Sequence, residues 1–229
     1  MYAVNRDKWY SEVNVSEALR YAGVRDESLC GDEVIQNVVK AVNEVGETSS
    51  PKNISIECSL EINGSECNVG GMMVKSNSLA EHLKGCDKVL LFAATLGSGV
   101  DTLIRRYSEI KMSYAVELQA AAATLIEYYC DTVNGESENE YAARGYHLRP
   151  RFSPGYGDFS IYHQPELIAR LNAYKRIGLT VSDGGIMTPM KSVTAVIGLT
   201  RQRQSGRTGS CASGKCAGCP NVNCEFRKV

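Results

Sequence analysis

Cys211, Cys216, Cys219 and Cys224 stand as C-x4-C-x2-C-x4-C near the end of the chain. Four thiolates in so short a span can wrap tetrahedral zinc or an iron–sulfur cluster, and Gly214, Gly218 and Pro220 supply the turns such a wrap needs. The spacing matches neither a zinc ribbon, whose pairs lie well apart, nor a ferredoxin loop closely. Both metals stay open, beside a redox-labile tail that holds none. A second group is RPRFSPGYGDF, residues 149–159. Pro150 and Pro154 fix φ, while Gly155 and Gly157 expose backbone on both sides of Tyr156, so the loop offers N–H and C=O groups to whatever docks. Arg151 adds a bidentate partner for a carboxylate and Tyr156 a flat amphipathic surface. Together they suit a ligand with a carboxylate, an aromatic base and a cation. The same residues also make a proline-braced surface turn.

Other chemistries find little support. TLGSGVD, residues 95–101, is an incomplete G-x-G-x-x-G, with Thr102 in place of the third glycine, and reads as a tight strand-to-helix turn with Gly97 and Gly99 at positive φ. His82 satisfies the H-x-x-G half of a D-x-H-x-x-G cobalamin signature, but Ala80 stands where the aspartate belongs. With three histidines and no nucleophile elbow, a hydrolytic triad has no basis.

The elements that must position these groups are mixed. SEALRYAG predicts a short helix capped by Ser16 and stopped at Gly23, and DESLCGDEVIQNVVKAVNEVG a longer one with Val34, Ile35, Val38, Val39 and Val42 at helical spacing, both packing on a sheet. NISIECSLEI alternates apolar and polar residues up to the turn signal Asn63-Gly64, and a second extended run passes through Val69 and Met73. SNSLAEHLKG, LLFAA and the segment after Gly99 read as helix, buried strand and helix. Tyr114 to Val133 is an alanine-rich helix whose Ala120 to Ala123 allow close approach of neighbouring backbone. A polar turn follows at Asn134-Gly135, then a short helical stretch. A helix from Pro165 to Gly178 and the strand-like LTVSD and SVTAVIGLT complete the ordered part. This pattern predicts an α+β fold with a twisted, mostly antiparallel sheet covered by helices. Residues 1–204 form one unit, and 205–229, rich in Gly, Ser and Cys, an appended metal-binding tail.

Lys plus Arg, 25, nearly balances Asp plus Glu, 26, so the basic excess that nucleic acid binding needs is absent. No apolar leader or membrane-length run occurs, and Cys30, Cys58, Cys67, Cys86 and Cys130 are scattered through apolar surroundings. A cytoplasmic protein is expected.

Arg151-Phe152-Ser153-Pro154-Gly155-Tyr156, followed by Arg176-Ile177-Gly178 and then Met187-Thr188-Pro189-Met190-Lys191-Ser192-Val193-Thr194, resembles the activation (reactivation) domain of cobalamin-dependent methionine synthase, in a stand-alone form. The likeness covers roughly residues 75 to 200, with SNSLAEHLKGCDKVLLFAATLGSGVDTLIRRY part of it. The resemblance implies binding of S-adenosylmethionine (AdoMet) and presentation of its methyl group to a reduced corrinoid. One-electron reduction of the inactive cofactor is then drawn forward by methylation, and the domain contributes positioning more than acid–base catalysis. Carried over by residue, Arg151 pairs the AdoMet carboxylate, Ser153 and Gly155 meet the ligand through backbone groups, and Tyr156 packs beside it. The family's helix acid aligns with Ala123, which leaves Glu127, one turn later, as the candidate substitute. The longer members close the site with a tyrosine-containing segment that the four-cysteine tail replaces here. With no complete cobalamin motif, the corrinoid is expected on a partner, a methionine synthase lacking its own activation domain. An electron donor protein, or the tail itself as a cluster carrier, would supply the electron. A binding or sensor module of the same fold without AdoMet, and a metalloprotein working through its tail, are the alternatives.

Overall fold

The computed structural model describes residues 8–24 and 31–202; the tail cysteines, Cys30 and the 205–229 division lie outside that range. Four helices run α1 (Val15–Tyr21), α2 (Asp32–Thr48), α4 (Ser98–Ile110) and α5 (Met112–Ala142), with the short α3 (Asn77–His82) before α4. The strands are β1 (Lys52–Asn63), β2 (Glu66–Val69), β3 (Met72–Lys75), β4 (Lys88–Thr95), β5 (His147–Leu148) and β8 (Ser192–Thr200). They form one sheet in the order β3-β2-β1-β4-β8-β5, and each neighbouring pair is antiparallel. Between β5 and β8 come α6 (Gln164–Leu171), α7 (Ala173–Ile177) and the small hairpin β6 (Thr180–Val181) and β7 (Met187–Thr188).

The α+β expectation holds, and burial explains why LLFAA does not alternate. Leu90, Phe92 and Ala94 of β4 face a core shared with α1, α2, α4 and α5. Val89, Leu91 and Ala93 face a second core with α3, α6 and α7. A strand buried on both faces reads as a continuous apolar run. In the sheet, β4 lies between β1 and β8 at the centre.

Several local expectations are corrected. Asn14, not Ser16, caps α1: its side chain accepts the Ser16 N–H at 3.0 Å. The N-terminal helices α1 and α2 make their main contacts with α5 and share one core with Leu90, Phe92 and Ala94 of β4. The extended run after Asn63 is two strands, turned at Gly70-Gly71, where both glycines take positive φ (59° and 88°). Gly97 has φ 86° as expected, but Gly99 is helical; what demands glycine there is space, since a Cβ would lie 2.9 Å from the Thr48 carbonyl oxygen.

The long helix does not end at Val133 but runs through Asn134-Gly135 to Ala142. Its distal half is tied down by tertiary contacts: the Tyr141 hydroxyl and Arg144 Nη2 donate to Glu57 Oε2 at 3.1 and 2.8 Å, and Glu138 accepts the Leu148 N–H at 2.9 Å. Such contacts outweigh the ~1 kcal/mol helix penalty of one glycine. The helix expected from Pro165 to Gly178 is broken at Asn172, whose φ of 51° separates α6 from α7. Gly178 ends α7 with φ 72°, the left-handed cap expected of the RIG segment.

Candidate functional site

The segment after β5 continues along β8 with one change of step. Leu148 pairs with Leu199 and Phe152 with Val196, so Arg149, Pro150 and Arg151 oppose only Ile197 and Gly198. This is a β-bulge. Side chains alternate along a strand, so Leu148 and Phe152, four residues apart, would share a face in a regular strand. With the bulge, Leu148 packs on the α5 side of the sheet and Phe152 on the α3 side. Arg151, beside Phe152, is thereby turned toward α5.

There its Nη2 donates to Glu127 Oε2 at 2.8 Å and its Nη1 to Asp131 Oδ1 at 2.9 Å. The two acids stand one turn apart on α5, where helical neighbours share a face. Burial works against the charge of the guanidinium, and the carboxylates of Asp131 and Glu127 are among the neighbours that offset it. Beneath this cluster the Cys130 thiol is pushed up to about 12 by burial, which leaves it a neutral packing group rather than a nucleophile.

Residues 153–159 form two linked turns. The Tyr156 N–H donates to the Ser153 carbonyl at 3.1 Å, with Pro154 and Gly155 (φ 98°) in the central positions, a type II arrangement that requires glycine at the second. The Phe159 N–H then donates to the Tyr156 carbonyl at 2.9 Å around Gly157, and the Gly155 N–H returns to the Phe159 carbonyl at 2.7 Å. The expectation of unpaired N–H groups is corrected at Gly155 and Tyr156, whose donors are used within the turns. Tyr156 is 56% exposed and meets Phe152 edge-on, ring centres 5.9 Å apart.

Helix α3 holds this loop at both ends. Asp158 accepts the N–H groups of Asn77 and Ser78 at 2.8 and 2.9 Å and a bond from the Ser76 hydroxyl. The Ser76 bond and the two backbone bonds hold its carboxyl well below the usual carboxylate range. At the other end, Nε2 of His82 lies 2.8 Å from the Pro150 carbonyl, an acceptor, so the proton sits on Nε2. The His82 ring also lies over Phe152, centres 4.8 Å apart.

The sequence-derived residues Arg151, Ser153, Gly155 and Tyr156 thus share one loop, and the structure brings Glu127 to Arg151 from 24 positions away. Asp131, Asp158 and His82 were missed as parts of this corner. The i, i+4 spacing of Glu127 and Asp131 on a predicted helix was the available signal for the first. Asp158 and His82 reveal themselves only through tertiary contact. Of the downstream motif, Ser192 Oγ donates to the Pro189 carbonyl at 2.7 Å, and the Met190 N–H donates to Asp101 at 2.8 Å, so these residues set the entry of β8. A cleft of about 540 Å³ opens between α3 and the β1–β2 turn, lined by Ile62, Ala80, Glu81 and Lys84 among others; Arg151 and Tyr156 are not in its lining. Among the described residues no group of three or more His, Cys, Asp or Glu could hold a metal ion, and no helix is long and apolar enough to cross a membrane.

Neither a protein-family model nor a curated protein sequence matches the chain. Among solved structures it is similar to the MetH reactivation domain bound to AdoHcy, with a TM-score of 0.58 and 15% identity, over 84% of this chain and 77% of that one. The bulged loop, the helices on both sheet faces and the antiparallel strand order therefore belong to a chain with the fold of the MetH reactivation domain.

Proposed function

We propose that the chain binds AdoMet at the Arg151 corner and serves as the reactivation component of a cobalamin-dependent methionine synthase that lacks this domain. The observation that carries the reading is the meeting of Arg151 with Glu127 at 2.8 Å beside the Ser153–Tyr156 turn, whose Gly155 and Tyr156 are exposed, in a fold of which one solved structure is described as bound to AdoHcy. The residues fit an α-amino acid end. The guanidinium takes a carboxylate in bidentate fashion, and a carboxylate on α5 takes the ammonium. Arg151, Glu127 and Asp131 together carry one net negative charge, which complements the single net positive charge of AdoMet at neutral pH.

Bound AdoMet supplies a methyl group on a sulfonium for transfer to a reduced corrinoid held by the partner. Arg151 anchors the ligand, and the bulge together with the α3 contacts fixes the direction in which that anchor points. Tyr156 offers an aromatic face beside it. Positioning of this kind needs no general base from the chain.

The partner would dock at the same corner. Ile161 lies under both Gly155 and Gly185, where a Cβ would come within 3.6 and 3.0 Å of its side chain. Tyr156, Tyr162 (78% exposed) and Ile186 (65% exposed) each follow one of these three residues in sequence and offer apolar surface to a partner. The four tail cysteines are included in the proposal as a zinc or iron–sulfur site, the latter able to carry the required electron. Iron and sulfide analysis of anaerobically purified protein decides between them, and zinc without visible absorption removes the redox role.

One observation favours a second reading, a module that keeps the fold without AdoMet: Nη1 and Nη2 of Arg151 are both engaged by the chain's own carboxylates. Calorimetric titration with AdoMet, alone and with the corrinoid partner, separates the two. Saturable binding supports the reactivation role, and absence of binding under both conditions supports the second reading.

A further inference from the structure

Arg151 lies between two carboxylates where one would neutralise it. Its side chain retains 12% of its exposure, against 45% for Glu127 and 47% for Asp131. We infer that Asp131 is an internal stand-in for the carboxylate of an α-amino acid ligand, holding the guanidinium in the ligand-free protein and yielding its place when the ligand binds. This rests on the reading of the Arg151 corner as an AdoMet site, and it makes Asp131 a specificity-determining residue of that site.

The need for a stand-in follows from the cover over the arginine. A guanidinium held this far from water by the bulge costs several kcal/mol if it is left without a counter-charge. In the free protein Asp131 and Glu127 meet that need together. Each is nearly half exposed, so a released carboxylate is hydrated at once, and pairs of such exposure contribute little net stability. An incoming carboxylate has the charge and the planar geometry of the Asp131 group, and replacing one by the other leaves the charge around Arg151 unchanged.

Glu127 is the acid that stays. Its side chain is one methylene longer, so one oxygen can remain on Nη2 while the other turns to the ammonium of the ligand. Asp131, on the shorter stem, can only hold or release. A nucleoside without an amino acid end has nothing to offer Arg151 in exchange and leaves Asp131 in place.

AdoHcy is the probe for the test, because it has no net charge and so does not respond to the overall charge change in a variant. Full-length wild type and Asp131→Asn are titrated with AdoHcy and with 5′-methylthioadenosine, which keeps the nucleoside and lacks the carboxylate. The variant binds AdoHcy about two- to fivefold more tightly, the gain expected from removing a half-exposed competing ion pair. It shows no gain for 5′-methylthioadenosine. Melting curves confirm that the variant is folded, and Asp131→Ser serves as the second variant with the same expectation. Unchanged or weaker AdoHcy binding by the folded variants, or an equal gain for 5′-methylthioadenosine, overturns the inference while leaving the site intact. Absence of AdoHcy binding in wild type and variants alike overturns the reading of the site itself, and the inference with it.

Discussion

The carboxylate of Asp158 receives the backbone N–H of Ser78 at 2.9 Å, across 80 residues of chain, and so joins the first turn of α3 to the loop that carries Tyr156. One side chain caps a helix and closes a binding loop at once. Asp158→Ala removes both functions. The expected result is a melting temperature lower by about 2–4 °C, the usual effect of losing a cap in a domain of this size, together with weakened AdoMet binding. Asp158→Asn, which keeps one acceptor, falls between the variant and wild type in both measurements.

His82 plays the corresponding part at the other end of α3, through the Pro150 carbonyl at 2.8 Å and the face of Phe152. His82→Ala leaves the carbonyl next to Arg151 without its donor and costs about 1 kcal/mol in denaturant titration. His82→Gln, which can still donate, recovers part of the ligand affinity lost in the alanine variant. If affinity is unchanged in His82→Ala, the helix does not set the position of Arg151.

Gly157 has φ 55°, and a Cβ there would meet Ser78 Oγ at 2.5 Å. Gly157→Ala therefore drives the Tyr156 turn away from α3, at a cost of about 1–3 kcal/mol. Hydrogen exchange reports the change as faster exchange confined to residues 153–159 and the start of α3.

Acid stability depends on Glu57, which accepts Lys88 Nζ at 2.6 Å and Arg144 Nη2 at 2.8 Å. The Lys88 bond, followed by those from Arg144 and Tyr141, lowers its pKa from 4.5 to about 2. A depressed carboxylate stabilises the fold above its unfolded value and loses that contribution as pH falls through its folded value. The window is thus pH 4.5 to about 2. Glu57→Gln is expected to be about 1 kcal/mol less stable at neutral pH, screening by water keeping the effect small, and to show a shallower loss of melting temperature across that window. Asp158 adds to the wild-type loss in the same direction.

The β1–β2 hairpin, the buried β4 and the glycine-rich loop were legible because short-range signals decided them: alternation, an apolar run and turn chemistry. The course of α5 through Asn134-Gly135 was not, since a local turn signal there is overruled by Glu57, 84 residues from the Tyr141 it holds, and by the bond of Glu138 to the start of the next strand. The break at Asn172 is a left-handed residue inside a continuous helical pattern, and no periodicity marks it. Within the candidate site, Arg151, Gly155 and Tyr156 declared themselves by type and spacing. The bulge that aims Arg151 did not, because it exists only as a mismatch of register between β8 and the segment after β5. Asp158 looked like one more turn residue until α3 was placed against it.

The central claim, that Arg151 and Glu127 form the amino acid end of an AdoMet site, is tested most directly by calorimetry. Wild type, Arg151→Ala and Glu127→Gln are titrated with AdoMet in the presence and absence of a cobalamin-binding methionine synthase that lacks its own activation domain. Loss of a charged hydrogen bond of this kind corresponds to about 1.5–3 kcal/mol, or roughly ten- to a hundredfold in affinity. The account predicts that wild type binds AdoMet saturably and that both variants bind at least tenfold more weakly while keeping their fold. Wild-type protein that takes up no AdoMet with or without the partner, or folded variants that bind as tightly as wild type, would contradict it.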